Sequence, residues 1–237
     1  MSRRASGEYV IAFDADDTLW HNEPLFADTQ AQFRELLAPY HDADYISRML
    51  YDVEMRNLRL FGYGIKGFTL SMIETAIELT EGRISGHEIG RIIESARAMM
   101  QAPTRLLDDA QNVVATLGAR YRLMLITKGD LFDQEAKLAR SGLAEYFRHV
   151  EIVSEKTPIT YRRILEQHAI APEHFLMVGN SPRSDILPVL AIGGSAVYIP
   201  YHMLWLHEQI DPPPPQAGLY ELRRLAELPD LITRIWG

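Results

Sequence analysis

The stretch Phe13-Asp14-Ala15-Asp16-Asp17-Thr18-Leu19-Trp20 places three carboxylates within four residues, directly after the apolar run Tyr9-Val10-Ile11-Ala12-Phe13. Acids this close repel one another and resist burial. Carboxyls in unlike settings can hold different protonation states, which is what a proton-transfer pair requires. The plain alternative is a turn or helix-cap cluster, because aspartate readily accepts hydrogen bonds from backbone N–H groups. The same juxtaposition recurs along the chain. Thr127-Lys128 follows the run Tyr121–Ile126, and Gly179-Asn180-Ser181 follows Phe175–Val178, with Asp185 five residues beyond Asn180. Lys156 comes soon after a further run, Val150–Val153. A hydroxyl, an ammonium, an amide and more carboxylates thus stand at or just beyond the ends of β-like runs.

The elements that must carry these groups follow from the patterning. The runs above, with Ala196–Ile199, alternate with helical stretches, which predicts an α/β core of Rossmann type, a mostly parallel sheet with helices on its faces. In open parallel sheets ligands bind beyond the carboxyl ends of the strands, where these polar clusters would sit. The interval from His21 to about Pro103 differs. Its helical patterns are Ala27–Leu37, Asp44–Leu60, Phe68–Leu79 and His87–Met100, with no convincing strand. The expected organisation is an α/β core of residues 1–20 and 104–237 interrupted by a helical insertion, 21–103. Within the insertion Gly62, Gly64 and Gly67 read as a helix–helix loop, or as a loop that reaches a substrate. Arg56, Arg59 and Lys66 read as a solvated face, or as a site for a second anionic group. After Pro212–Pro215, an extended proline spacer, a short helix is expected around Leu219–Leu228.

Composition excludes several functions. Apolar residues make up 47%, enough for a core, and 24 basic against 32 acidic side chains give a net charge of −8. That balance argues against nucleic-acid binding and means that an anionic substrate must be attracted locally. With no cysteine, disulfides and thiolate metal sites are excluded. Residues 1–8 hold two arginines but no apolar stretch suited to a signal peptide. The uncharged run Ile186–Leu206 has membrane-helix length, but Pro188, Gly193-Gly194 and Pro200 break it into helix, turn, strand and loop. A soluble cytoplasmic protein is expected.

Taken in order, Asp14-Ala15-Asp16-Asp17-Thr18-Leu19-Trp20, Thr127, Lys156 and Gly179-Asn180-Ser181-Pro182-Arg183-Ser184-Asp185 resemble the four motifs of the haloacid dehalogenase superfamily, whose members are mostly phosphatases. The resemblance covers the whole core, and the insertion matches the family's cap in position. It implies that Asp14 attacks phosphorus to form an aspartyl-phosphate. Asp16 would protonate the leaving group and later activate water. Thr127, the Lys128 backbone N–H and Lys156 would hold the phosphate. Asp14, the Asp16 carbonyl, Asn180 and Asp185 would place Mg2+, which prefers hard oxygen ligands. The sequence departs from the family at Asn180, since Gly-Asp is usual at the position of Gly179-Asn180, so a weaker metal site is expected. Asp17 is expected to be solvated or to cap a helix, and Thr18 to bond locally; Trp20 and His21 could touch substrate, but the plainer reading is that Trp20 packs and His21 is exposed; His202 and His207 lack metal-ligand spacing. The expected function is a magnesium-dependent phosphatase of a small phosphomonoester. A 2-haloacid dehalogenase is the rival, disfavoured by Asp16, and a catalytically silent binding protein is the other alternative.

Overall fold

The computed structural model describes residues 9–237; the reading of residues 1–8 lies outside the described residues. A strand that is apolar at every position has to be covered on both faces. Val10–Phe13 forms such a strand, β1, with all four residues buried. It lies inside a six-stranded sheet with β2 (Arg122–Lys128), β3 (Phe147–Val153), β4 (Phe175–Gly179), β5 (Ser195–Tyr198) and β6 (Leu219–Glu221). The order is β3-β2-β1-β4-β5-β6 and every pairing is parallel. Phe13 pairs with Leu125 on one side and Val178 on the other, so the polar ends of β1, β2 and β4 come out level.

Alternation along the strands separates two cores. Ile11 and Phe13 pack with Leu123, Leu125 and Val178 against α5 (Ala110–Gly118) and α9 (Leu228–Trp236). Val10 and Ala12 pack with Met124, Ile126 and Met177 on the other face, with α7 (Pro158–Gln167) and α8 (Leu187–Leu190). The expected helix around Leu219–Leu228 is corrected. Leu219–Glu221 is a strand, because the free edge of β5 takes up its backbone in the register Ala196 to Leu219. The helix starts only at Leu228, with Pro229 in its first turn, where proline's missing N–H costs nothing. The run Ile186–Leu206 is divided among α8, β5 and loop. No helix among the described residues is long and apolar enough to cross a membrane.

The chain divides into two compact units, Met1–Glu23 with Thr104–Lys128 and Lys137–Gly237, and Pro24–Pro103 with Gly129–Ala136. The second is built on α1 (Glu23–Leu37), α2 (Ala43–Phe61), α3 (Ile65–Leu79) and α4 (Gly86–Gln101). Asp42 caps α2, and Ser85 with Glu88 forms a capping box on α4. Phe33, Leu37, Ile46, Leu50, Phe68, Met72 and Ile92 interdigitate at its centre. Gly62 and Gly64 turn the chain between α2 and α3 with φ of 71° and 105°, a region glycine enters without strain. Arg56 is committed to Glu74 and Glu78, and Lys66 to Asp130 at 3.0 Å, so neither is a free cation.

Candidate active site

Asp14 is the first residue beyond β1. Its N–H still donates to Val178 O (2.9 Å), which extends the ladder by one residue and fixes where the side chain emerges. Lys156 Nζ donates to Asp14 Oδ1 and to Asp185 Oδ1, the latter at 2.7 Å, so two carboxylates share one ammonium. All three residues are buried. Burial pushes the Asp14 carboxyl up and Asp185 adds to the push, against the pull of Lys156. Burial alone would lower Lys156, but Asp14 and Asp185 outweigh it and hold the ammonium at about 12. Lys156 itself comes just before Thr157, which caps α7. Thr18 Oγ1 donates to Asp14 Oδ2 (3.1 Å) and lies 3.4 Å from Asn180 Oδ1, which joins the first and fourth motifs around one hydroxyl.

Asp16 faces other partners. Trp20 Nε1 donates to its Oδ1 at 2.7 Å, and Lys137 Nζ lies 3.2 and 3.3 Å from its two oxygens. Lys137 also donates to Asn22 Oδ1 (2.6 Å). Trp20, buried as expected, therefore also orients a carboxylate. The next residue, Asp17, adopts φ 60° and accepts from the N–H groups of Asn22 (2.9 Å) and Glu23 (3.0 Å), at the start of α1. Of the solvated and capping roles expected of it, this is the capping one, and the residue is buried. Burial pushes the Asp17 carboxyl up to about 7, with the Asn22 N–H pulling the other way. A raised carboxyl means that ionisation opposes folding, a penalty absent below the ordinary value near 3.8 and complete above about 7. Asp17→Asn keeps an acceptor and tolerates the left-handed backbone. It is expected to raise the melting temperature relative to wild type at pH 8, with the gain shrinking towards pH 5 in thermal melts. His21 is held rather than exposed, with Nδ1 2.7 Å from the Tyr201 hydroxyl, a group pushed up to about 12 by burial and by Asp17.

At the end of β2, Thr127 is buried and level with the first motif. The Lys128 side chain is turned inward. Its ammonium pairs with Glu208 and donates to Ser184 Oγ (2.9 Å). Glu208 in turn accepts from Ser181 Oγ and Ser184 Oγ, both at 2.6 Å. Burial would raise the Glu208 carboxyl, but Lys128 and the two hydroxyls overrule it and hold it at about 2.

The fourth motif runs from β4 into a five-residue turn of π-helix, Pro182–Ile186. Ser181 N–H donates to Asp185 Oδ2 (3.0 Å) and closes the loop on itself. A Cβ added to Gly179 would lie 2.2 Å from that same Asp185 oxygen, so only glycine fits there. The donors assembled here are the side chains of Asp14, Asn180 and Asp185, which approach one another through Thr18 and Lys156. All are hard oxygens, which fits a magnesium ion that keeps several waters. Only two are carboxylates; among the described residues no cluster of three or more His, Asp or Glu side chains is disposed to hold a metal.

Sequence reasoning missed Lys137, Glu208 and Tyr201. A signal for Lys137 did exist. Helix α6 (Leu131–Ser141) is inverted at its start, with Leu131 and Phe132 59% and 68% exposed while Asp133, Gln134 and Lys137 are buried. An apolar pair turned outward on a helix whose polar residues are inward breaks the usual amphipathic rule. Nothing comparable flags Glu208.

With the site's geometry established, comparison with known proteins identifies the class. The family model for haloacid dehalogenase-like hydrolases matches residues 10–193. The chain belongs to that family. A haloacid dehalogenase-like family hydrolase from Xanthomonas campestris is 42% identical and superposes with a TM-score of 0.88 over 99% of this chain and 94% of its own. The pyrimidine 5'-nucleotidase YjjG of Escherichia coli is 26% identical over 91% of this chain and 96% of its own. The magnesium-bound structure of the HAD-hydrolase YfnB from Bacillus subtilis shares the fold, with a TM-score of 0.64 at 19% identity over 95% of this chain and 99% of its own.

Proposed function

We propose that the protein is a cytoplasmic, magnesium-dependent phosphatase that hydrolyses a small phosphomonoester through an aspartyl-phosphate on Asp14. The observation that carries this reading is the buried Asp14–Lys156–Asp185 cluster at the level strand ends. The nucleotidase relative supports a phosphate ester as the substrate class, and the magnesium-bound relative supports the ion.

Asp14 Oδ2 attacks phosphorus as the ester oxygen departs on the opposite side. The Thr127 hydroxyl and the Lys128 N–H donate to the equatorial oxygens, and Lys156 neutralises charge as a compact ammonium. Asp14, the Asp16 carbonyl, Asn180 and Asp185 would hold magnesium, which would supply positive charge to offset that of the phosphoryl group. Asp16, steadied by Trp20 and Lys137, gives its proton to the leaving oxygen and then takes one from the water that cleaves the acyl phosphate. The helical unit would correspond to the family's cap.

An assay with p-nitrophenyl phosphate, with and without magnesium, tests the reading. Metal-dependent release of phosphate supports it. Chloride release from a 2-chloro acid would establish a dehalogenase instead, and no turnover of either a binding protein. Asp16→Asn is expected to slow hydrolysis of alkyl phosphates by about 10²- to 10⁴-fold and that of p-nitrophenyl phosphate far less, because a good leaving group needs little protonation. An equal loss on both substrates would assign Asp16 a different task.

A further inference from the structure

The segment between β5 and β6 holds little regular structure, only the 3-10 turn Leu206–Glu208, yet it ends one residue of that turn in the interior: Glu208 is 8% exposed. Its carboxylate gathers donors from two separate places. Oε2 accepts from Ser181 and Ser184 in the fourth-motif loop, and Oε1 pairs with Lys128 at the end of β2. Lys128 also donates to Ser184 Oγ, which closes a ring of contacts. Strands β2 and β4 flank β1 on opposite sides, so this ring joins the two neighbours of the strand that Asp14 follows. The loop is coupled inward as well. Ser181 Oγ accepts from Ser184 N (3.1 Å), and Ser181 N donates to Asp185 Oδ2. A second tie, from Arg183 Nη1 to His207 O (2.7 Å), holds the same turn against the same loop.

We propose that Glu208 is a positioning residue that fixes the Asn180–Asp185 loop, and with it the oxygen donors for the divalent cation, against the strand end that carries Thr127. It also sets a negative charge against the Lys128 ammonium, whose side chain is only 14% exposed, beside the proposed cation site. The inference rests on the phosphatase reading above. Residues that orient metal ligands without touching the metal affect metal affinity by about 10- to 100-fold.

The test is calorimetric titration of the full chain with magnesium alone, which needs no turnover. Glu208→Gln keeps an acceptor for the serine hydroxyls but removes the negative charge that faces Lys128, and is expected to weaken magnesium binding by about tenfold or more. The double variant Lys128→Met/Glu208→Gln removes both charges and keeps the Lys128 N–H, so it is expected to recover most of that loss. A merely structural role would make the double variant no better than the single one, and that result overturns the inference. So does a folded Glu208→Gln protein that binds magnesium within about threefold of wild type. Should Glu208→Gln fail to fold, Ser181→Ala, which cuts one tie, carries the test, and unchanged magnesium affinity there is the overturning result. Wild-type protein that neither binds magnesium nor hydrolyses p-nitrophenyl phosphate brings down the phosphatase reading and this inference together. Wild-type protein that does both, beside variants that match it, brings down this inference alone.

Discussion

Asp14→Asn is expected to lower kcat/KM for p-nitrophenyl phosphate by about 10⁴-fold or more while leaving the circular dichroism spectrum native. The amide is no nucleophile, yet it fits the same space. Its oxygen accepts from Lys156 as Asp14 Oδ1 does, and its nitrogen can donate to the Thr18 hydroxyl. The fold gains rather than loses from the exchange at alkaline pH. Because burial raises the Asp14 carboxyl, its ionisation opposes folding increasingly as pH climbs above the ordinary value of 3.8. The variant's melting temperature should accordingly compare best with wild type near pH 8 and least well near pH 5. Near-normal turnover by this variant would place the nucleophile elsewhere and remove the basis of the proposed reaction. Lost turnover together with a collapsed spectrum would show that the carboxylate is needed for folding first.

What the sequence made legible was whatever depended on runs of residues close together. Val10–Phe13 and Phe175–Gly179 are apolar throughout because inner parallel strands have both faces covered, so their positions and their polar ends could be read directly. The same holds for α2 and α4, whose stripes and caps agree. Leu219–Glu221 was misread because a three-residue edge strand carries almost no periodicity, and its state is set by the open edge of β5. The side-chain partners around the site were illegible for a related reason. Asp16 meets Lys137 and Asp14 meets Lys156, pairs separated by 121 and 142 positions, and no local pattern encodes such a meeting. Lys128 illustrates the consequence. Read alone, a lysine after a strand belongs to the surface, whereas Glu208 keeps it inside.

Lys156→Met is expected to be the most destabilising substitution in the site. The methionine side chain approximates the lysine stem, so packing is largely kept and the change isolates the charge. It leaves Asp14 and Asp185, both buried, without the ammonium they share. Breaking a buried ion pair from one side costs about 3–5 kcal/mol, since the remaining charge has lost its counterion but not its desolvation. For a chain of this size that corresponds to a fall of roughly 10 °C in melting temperature. The pH dependence has a definite sign. In wild type Lys156 is raised from 10.5 to about 12, so the stability it supplies is complete below about pH 10.5 and is lost as pH rises through 12. In the variant the two carboxylates repel each other unscreened, which disfavours the doubly ionised folded state. Acid relieves this by protonating one of them. The gap between wild type and variant should therefore be wide at pH 8 and narrower at pH 5 in parallel thermal melts. Under the proposed reading, added magnesium should narrow it at pH 8 too, because the ion these carboxylates would hold would supply the missing positive charge. A gap that is small at pH 8, or that widens in acid, would mean that Lys156 does not balance these two carboxylates, and that another group supplies the charge on which the proposed site depends.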